Sequence, residues 1–125
     1  MAKKTARQRV VKRLDDITSK YIRERDAKCV QCQTTENLTN GHVFSRWDIT
    51  KDGNCHTQCW GCNFKHSKDN YDYFRWYIDK FSNETFENLR FQYKETKKYT
   101  TIELEELYEK LTLAYKELLI ENQTT

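Results

Sequence analysis

Over the first quarter of the chain, Val10, Leu14, Ile17 and Tyr21 recur at helical spacing with Val11 and Ile22 beside them. Arg7, Arg9, Lys12, Arg13, Lys20 and Arg23 fall on the other faces. This pattern predicts one basic amphipathic helix from about residue 5 to 26. The far end reads as clearly. Thr100-x-x-Glu103 is a capping box, and Leu104, Leu107, Tyr108, Leu111, Ala114, Tyr115 and Leu118 then repeat at three and four. That helix has an apolar stripe and an acidic face, and the stripe fits either its own domain or a second copy of the chain. Between the two, the helical period is lost. Residues 27 to 59 read as short elements: a polar turn at 34–37, a strand near 38–44, and a loop through Lys51, Asp52 and Gly53. A further helix should start near Cys59 and run through Tyr71, Tyr73, Phe74, Trp76, Tyr77 and Phe81. These aromatics read as core, because a small domain needs their area for burial.

The length of 125 residues allows one domain. Its parts are a basic N-terminal helix at 1–26, a core at 27–82 and a C-terminal helical region at 83–125. A mean hydropathy of −1.01, and no apolar run long enough to span a bilayer, exclude a membrane protein of the helical kind. Charge changes the picture more. Residues 1–30 hold ten Lys and Arg against four Asp and Glu, whereas residues 101–125 hold two against six. The front of the chain is therefore expected to meet a polyanion, with Arg7, Arg9, Lys12 and Arg13 as DNA contacts, and the tail to stay away from it.

Cysteine spacing supplies the chemistry. Cys29-x-x-Cys32 and Cys59-x-x-Cys62 are two knuckles, each able to turn a pair of thiolates onto one ion, and together they complete a closed zinc site. A disulfide framework is disfavoured: the count of five is odd, no secretory signal precedes the first knuckle, and a chain of this size can build a core without staples. A reduced cytoplasm is the expected setting, with Cys55 as a small packed residue.

Between and after the knuckles stand Asn40-Gly41-His42-Val43, then Asn54, then Asn63 directly behind Cys62. A histidine at the edge of a strand can aim a neutral imidazole into a cleft and take a proton from water. An asparagine in the following loop can fix the tautomer of that ring. Asn63, at a helix start anchored by zinc, can offer an amide oxygen to Mg²⁺.

This arrangement resembles the HNH, or His-Me finger, nucleases, and within them the phage NinG (Rap) recombination nucleases, which pair a GH dipeptide with QCxxCN and a polar turn. Here these read Gly41-His42, then Gln58-Cys59-Trp60-Gly61-Cys62-Asn63, followed by Lys65-His66-Ser67. The likeness runs from about Leu14 to Leu89, and the Cys-plus-Asn arrangement is also similar to the junction-resolving endonucleases of T-even phages.

The resemblance implies an α+β fold, a small zinc-stabilised ββα-metal core flanked by N- and C-terminal helices. It implies a phage endonuclease in the bacterial host cytoplasm, cutting branched DNA such as Holliday junctions or D-loops to 5′-phosphate and 3′-hydroxyl ends. His42 takes the role of general base, Asn54 that of the orienting residue, and Asn63 that of ligand to a catalytic Mg²⁺ or Mn²⁺. Lys65 and His66 are expected on phosphate, with His66 alternatively a second metal ligand. Most HNH enzymes carry an aspartate where this chain has Gly41, so the carboxylate must be replaced by water, by DNA phosphate, or by a residue such as Asp48 or Asp69. Two cuts per junction imply a homodimer, for which the tail stripe offers a surface. Two other readings fit the same residues: a zinc-stabilised DNA-binding module without catalysis, and a generic HNH nickase on duplex DNA.

Overall fold

A computed structural model describes residues 3–44, 53–95 and 98–124. Helix α1 covers Ala6–Asp26. Its start is fixed by a capping box in which Thr5 and Gln8 exchange side-chain and backbone hydrogen bonds. It ends at Ala27, which adopts the left-handed conformation (φ 65°) and returns its N–H to the Arg23 carbonyl. The first knuckle follows. Strands β1 (Leu38–His42) and β2 (Cys55–Cys59) then pair antiparallel, with Gly41 opposite His56 and His42 opposite Cys55.

Helix α2 (Trp60–Lys68) leaves β2 without a loop, because Cys59 is both the last strand residue and the N-cap, its Sγ accepting the Cys62 N–H. The single helix expected from Cys59 through Phe81 is two. Asp69 is extended and its carboxylate accepts the Tyr71 N–H, an Asx turn that ends α2 and restarts the chain as α3 (Tyr71–Lys80). Helix α4 (Asn83–Lys94) and helix α5 (Thr101–Thr124) complete the chain. The predicted box at Thr100 and Glu103 forms in both directions.

Two apolar clusters hold these elements. Val43, Phe44, Tyr73, Tyr77, Phe86 and Leu89 form one, uniting the end of the hairpin with α3 and α4. Val10, Leu14 and Ile17 of α1 meet Leu104 and Leu111 of α5 in the other. The tail stripe therefore packs on its own domain, one of the two partners that its sequence pattern leaves open. Residues Lys51, Asp52 and Asp48 lie outside the described residues. Among the described residues no helix is long and apolar enough to cross a membrane.

Candidate nuclease and zinc site

The four knuckle sulfurs lie within 4.8 Å of one another, and those of Cys32 and Cys59 are 3.6 Å apart. A tetrahedral zinc with bonds of about 2.3 Å spaces its sulfurs about 3.8 Å, so these four cysteines can hold a zinc ion. The backbone N–H groups of Cys32 and Cys62 donate to the sulfurs of Cys29 and Cys59 at 3.5 and 3.4 Å. Burial opposes ionisation of Cys29, but backbone amides led by that of Cys32 outweigh it and hold the thiol down to about 7. Burial, then the Cys59 hydrogen bond, pushes the Cys62 thiol up. Cys55 is fully buried on β2 and stands outside the cluster, as expected of the spare cysteine.

Beside this clamp, the segment carrying His42 is pinned at four consecutive residues. Tyr73 Oη donates to the Gly41 carbonyl at 2.9 Å. His66 Nε2 lies 2.9 Å from the His42 carbonyl and 3.0 Å from that of Val43; carbonyls only accept, so this nitrogen carries the proton. The Val43 N–H donates to the Asn54 carbonyl at 2.8 Å. At Phe44, the Asn54 side chain accepts the N–H at 2.9 Å and donates to the carbonyl at 3.3 Å. His42 itself is half-buried at the end of β1.

Two sequence expectations are reshaped here. The sequence sets Asn54 against the imidazole; the structure gives both ends of its fully buried amide to Phe44, so it positions the backbone beyond His42. His66, expected on phosphate, is turned inward on carbonyls, with its Nδ1 buried and lacking a hydrogen-bond partner among the described residues. It joins Gln31, Cys62, Lys65, Asp69, Asp72 and Tyr73 around a cavity of about 100 Å³.

Asn63 is placed as expected, on the first turns of α2 beside the hairpin. Thr39 Oγ gives its proton to the Gln58 carbonyl at 2.8 Å and so can only accept from Asn63 Nδ2, at 3.0 Å. That fixes the orientation of the amide, with Nδ2 toward Thr39 and Oδ1 turned the other way. Gly41 also has a physical cause. A β-carbon there would stand 2.7 Å from Gln58 Cγ and Cδ and collide with Oε1. Gln58 is fully buried, its Nε2 donates to Gln31 Oε1 at 2.5 Å, and its own Oε1 has no hydrogen-bond partner among the described residues. An amide oxygen therefore fills the space into which a side chain at 41 would project.

The basic residues of α1 are partly committed to the fold. Arg7 donates to the Tyr99 carbonyl and Arg9 to that of Lys4, each at 2.6 Å. Lys12 pairs with Asp16 at 3.4 Å, and Arg13 lies over the Tyr108 ring. Lys65 is exposed. Sequence reasoning missed His56. It is buried on β2 between Arg25 Nη2, 3.3 Å from Nδ1, and the Gly53 carbonyl, 3.1 Å from Nε2. Alternation along β2 does not single it out, because Cys55, His56, Thr57 and Gln58 are all buried.

No curated protein and no solved structure matches the chain. The family model described as Bacteriophage Lambda NinG protein matches residues 1–121, taking in the basic start and the acidic tail as well as the middle. The chain therefore belongs to the NinG family of phage proteins.

Proposed function

We propose that the chain is a metal-dependent DNA endonuclease of the His-Me finger type, acting on branched recombination intermediates in the cytoplasm of the phage host. The observation that supports it most is the pinning of residues 41–44 around His42, beside an asparagine whose amide is held in one orientation. A general base must be held within a fraction of an ångström of its productive place. His66 Nε2 donates to two backbone carbonyls and His56 is held between Arg25 and the Gly53 carbonyl; His42, carried by the pinned segment, is the histidine we assign as the base.

In the reaction His42 takes a proton from water, the resulting hydroxide forms a bond to phosphorus, and the bond from phosphorus to the 3′ oxygen breaks. That oxygen leaves and is protonated, giving 5′-phosphate and 3′-hydroxyl ends. Asn63 Oδ1 is the neutral oxygen that would take a hard divalent cation, since the amide nitrogen of Asn63 is committed to Thr39. Bound Mg²⁺ or Mn²⁺ would supply charge stabilisation to the leaving oxygen, with DNA phosphate and water completing its shell. The knuckle zinc has no open position and serves to hold β2, α2 and the first knuckle together. Cutting two strands of one junction calls for two copies of the chain, meeting elsewhere than on the α5 stripe.

One observation favours a second reading, a DNA-binding module without catalysis. Among the described residues only the four cysteines form a group of three or more His, Cys, Asp or Glu side chains placed to share an ion. Labelled four-way junction, D-loop and linear duplex, each with Mg²⁺, Mn²⁺ or EDTA, separate the readings. The endonuclease should cut a branched substrate with metal and not with EDTA, and His42→Ala should lower the rate about 10²–10⁴-fold while leaving zinc content and DNA affinity intact. Binding without cleavage in every metal selects the module; preferential cleavage of linear duplex selects a nickase; an undiminished His42→Ala rate removes His42 as the base.

A further inference from the structure

Helix α2 turns one side to the hairpin and another, of a different character, to solvent. Trp60 and Phe64 are 65% and 51% exposed. Their rings stack with planes 14° apart and centroids 5.6 Å apart, and the Lys68 ammonium sits 5.5 Å from the centre of the Phe64 ring. The three residues are spaced by four and so form one stripe along the helix. Lys65 is exposed nearby, and α2 contains no acidic residue. Most aromatics of the chain are tied into clusters, whereas the outer faces of this pair are left to water at an apolar cost.

We propose that the stripe of Trp60, Phe64 and Lys68 is a stacking platform for unpaired nucleobases of the DNA substrate. The inference rests on the nuclease reading above and adds to it the feature of the substrate that is recognised. Three properties suit a base and its backbone. Parallel exposed rings offer a π-face that any base can cover. Lysines along the stripe and no carboxylate on the helix match a phosphate chain and disfavour an acidic partner. The position is also right. At about 100° per residue, Asn63 lies about 60° around the helix from both Trp60 and His66, between the stripe and the side that faces the hairpin. A base laid on Trp60 therefore belongs to a nucleotide next to the phosphodiester at Asn63. Paired duplex keeps its bases stacked on one another and has no face to offer, so the platform favours DNA with unpaired nucleotides at or near a branch.

The test uses the full chain loaded with zinc, in EDTA concentrations too low to strip the knuckle site and without Mg²⁺ or Mn²⁺. Binding is measured for a single-stranded oligonucleotide, a duplex with a single-stranded flap, and blunt duplex. Trp60→Ala and Phe64→Ala should each weaken single-strand and flap binding about 5- to 150-fold, the range of one lost base stack. Blunt-duplex binding should change far less, and Trp60→Phe should keep most of the flap affinity. Lys68→Gln should flatten the salt dependence on single strands by about 0.7 in the log–log slope. Both rings are exposed, so zinc content should stay at the parental value, and a variant that loses zinc is replaced by Trp60→Leu or Phe64→Leu, which keep apolar bulk without a ring to stack. Equal losses on flap and blunt duplex, or no loss on either, overturn the platform. A change in self-association without a change in DNA binding assigns the stripe to a protein contact and overturns it too. A parental chain that binds none of the three DNAs defeats the nuclease reading itself, and the platform with it.

Discussion

Gly41 shows how a single missing side chain can be a packing requirement. An aspartate cannot be placed there by substitution alone, because its β-carbon would collide with a fully buried Gln58 amide. Gly41→Asp should therefore destabilise the chain by about 1–3 kcal/mol, the usual cost of overpacking a filled interior. It should also disturb the segment that Tyr73 and His66 pin. Gln58→Gly in the same chain removes the obstacle, so the double variant should recover most of the lost stability in a denaturant titration. An additive double variant would mean that Gln58 is not what excludes a side chain at 41. At this scale the sequence was partly readable. Asn63 lies where its place behind Cys62 puts it, while His66 and Asn54 carry polar atoms whose partners are backbone groups of residues 42–44. No spacing rule announces such partners, because they depend on how α2 and Asn54 meet the end of β1.

Among the elements, the two long helices were legible and the middle was not, for one physical reason. Helices α1 and α5 bury apolar stripes, so hydropathy reports them directly. Strand β2 is Cys55–Cys59, in which His56, Thr57 and Gln58 are all buried. Its polar groups are tied to α1 and the first knuckle, all but Gln58 Oε1: Thr57 Oγ donates to the Ile22 carbonyl, the Thr57 backbone N–H donates to Asp26, and Gln58 Nε2 donates to Gln31. A strand buried through hydrogen bonds has no hydrophobic signature. Zinc should complete this region. Cys59 joins β2 to α2 and caps the helix with its sulfur. Serine is itself a good N-cap, so Cys59→Ser isolates the loss of the metal ligand from the loss of the cap. That variant should lose zinc and the fold of the hairpin and α2 together. Cys55→Ser should keep one zinc per chain, at a cost of about 1–3 kcal/mol for a buried hydroxyl. Native mass spectrometry and circular dichroism read both outcomes; zinc retained in Cys59→Ser would remove Cys59 from the ligand set.

For the molecule as a whole, the joint between its two halves is polar and titratable, and this gives stability a pH window. The end of α1 reaches β2 through Arg25, which donates to the Cys55 carbonyl at 3.0 Å and approaches His56 Nδ1. The His56 ring is also packed by Trp76, Tyr77 and Phe81 from α3 and its end. Gly53 fixes the proton on Nε2, so a second proton would have to enter at Nδ1, against a guanidinium. Burial first, then Arg25, lowers the His56 pKa from 6.5 to about 4, with the Gly53 carbonyl and Asp26 opposing more weakly. Above pH 6.5 the ring is neutral whether folded or unfolded. Below it the unfolded chain takes up a proton that the folded chain refuses, so stability falls with pH until about pH 4, by roughly 3 kcal/mol over the interval. Asp26 adds a lower window. Burial raises its pKa, but Arg25 and the Thr57 N–H outweigh this and hold it below 3.8, so its contribution is present above that value and is lost as pH falls through the folded pKa. A variant isolates the part played by His56. His56→Phe keeps a ring among the aromatics and should start less stable at pH 8, having lost the contacts to Arg25 and Gly53. Between pH 6.5 and pH 4.5 its unfolding midpoint in zinc-saturated buffer should fall more gently than that of the parent, since all other titrating groups are shared. Parallel curves for the two chains would show that His56 is not the group that makes the joint acid-sensitive.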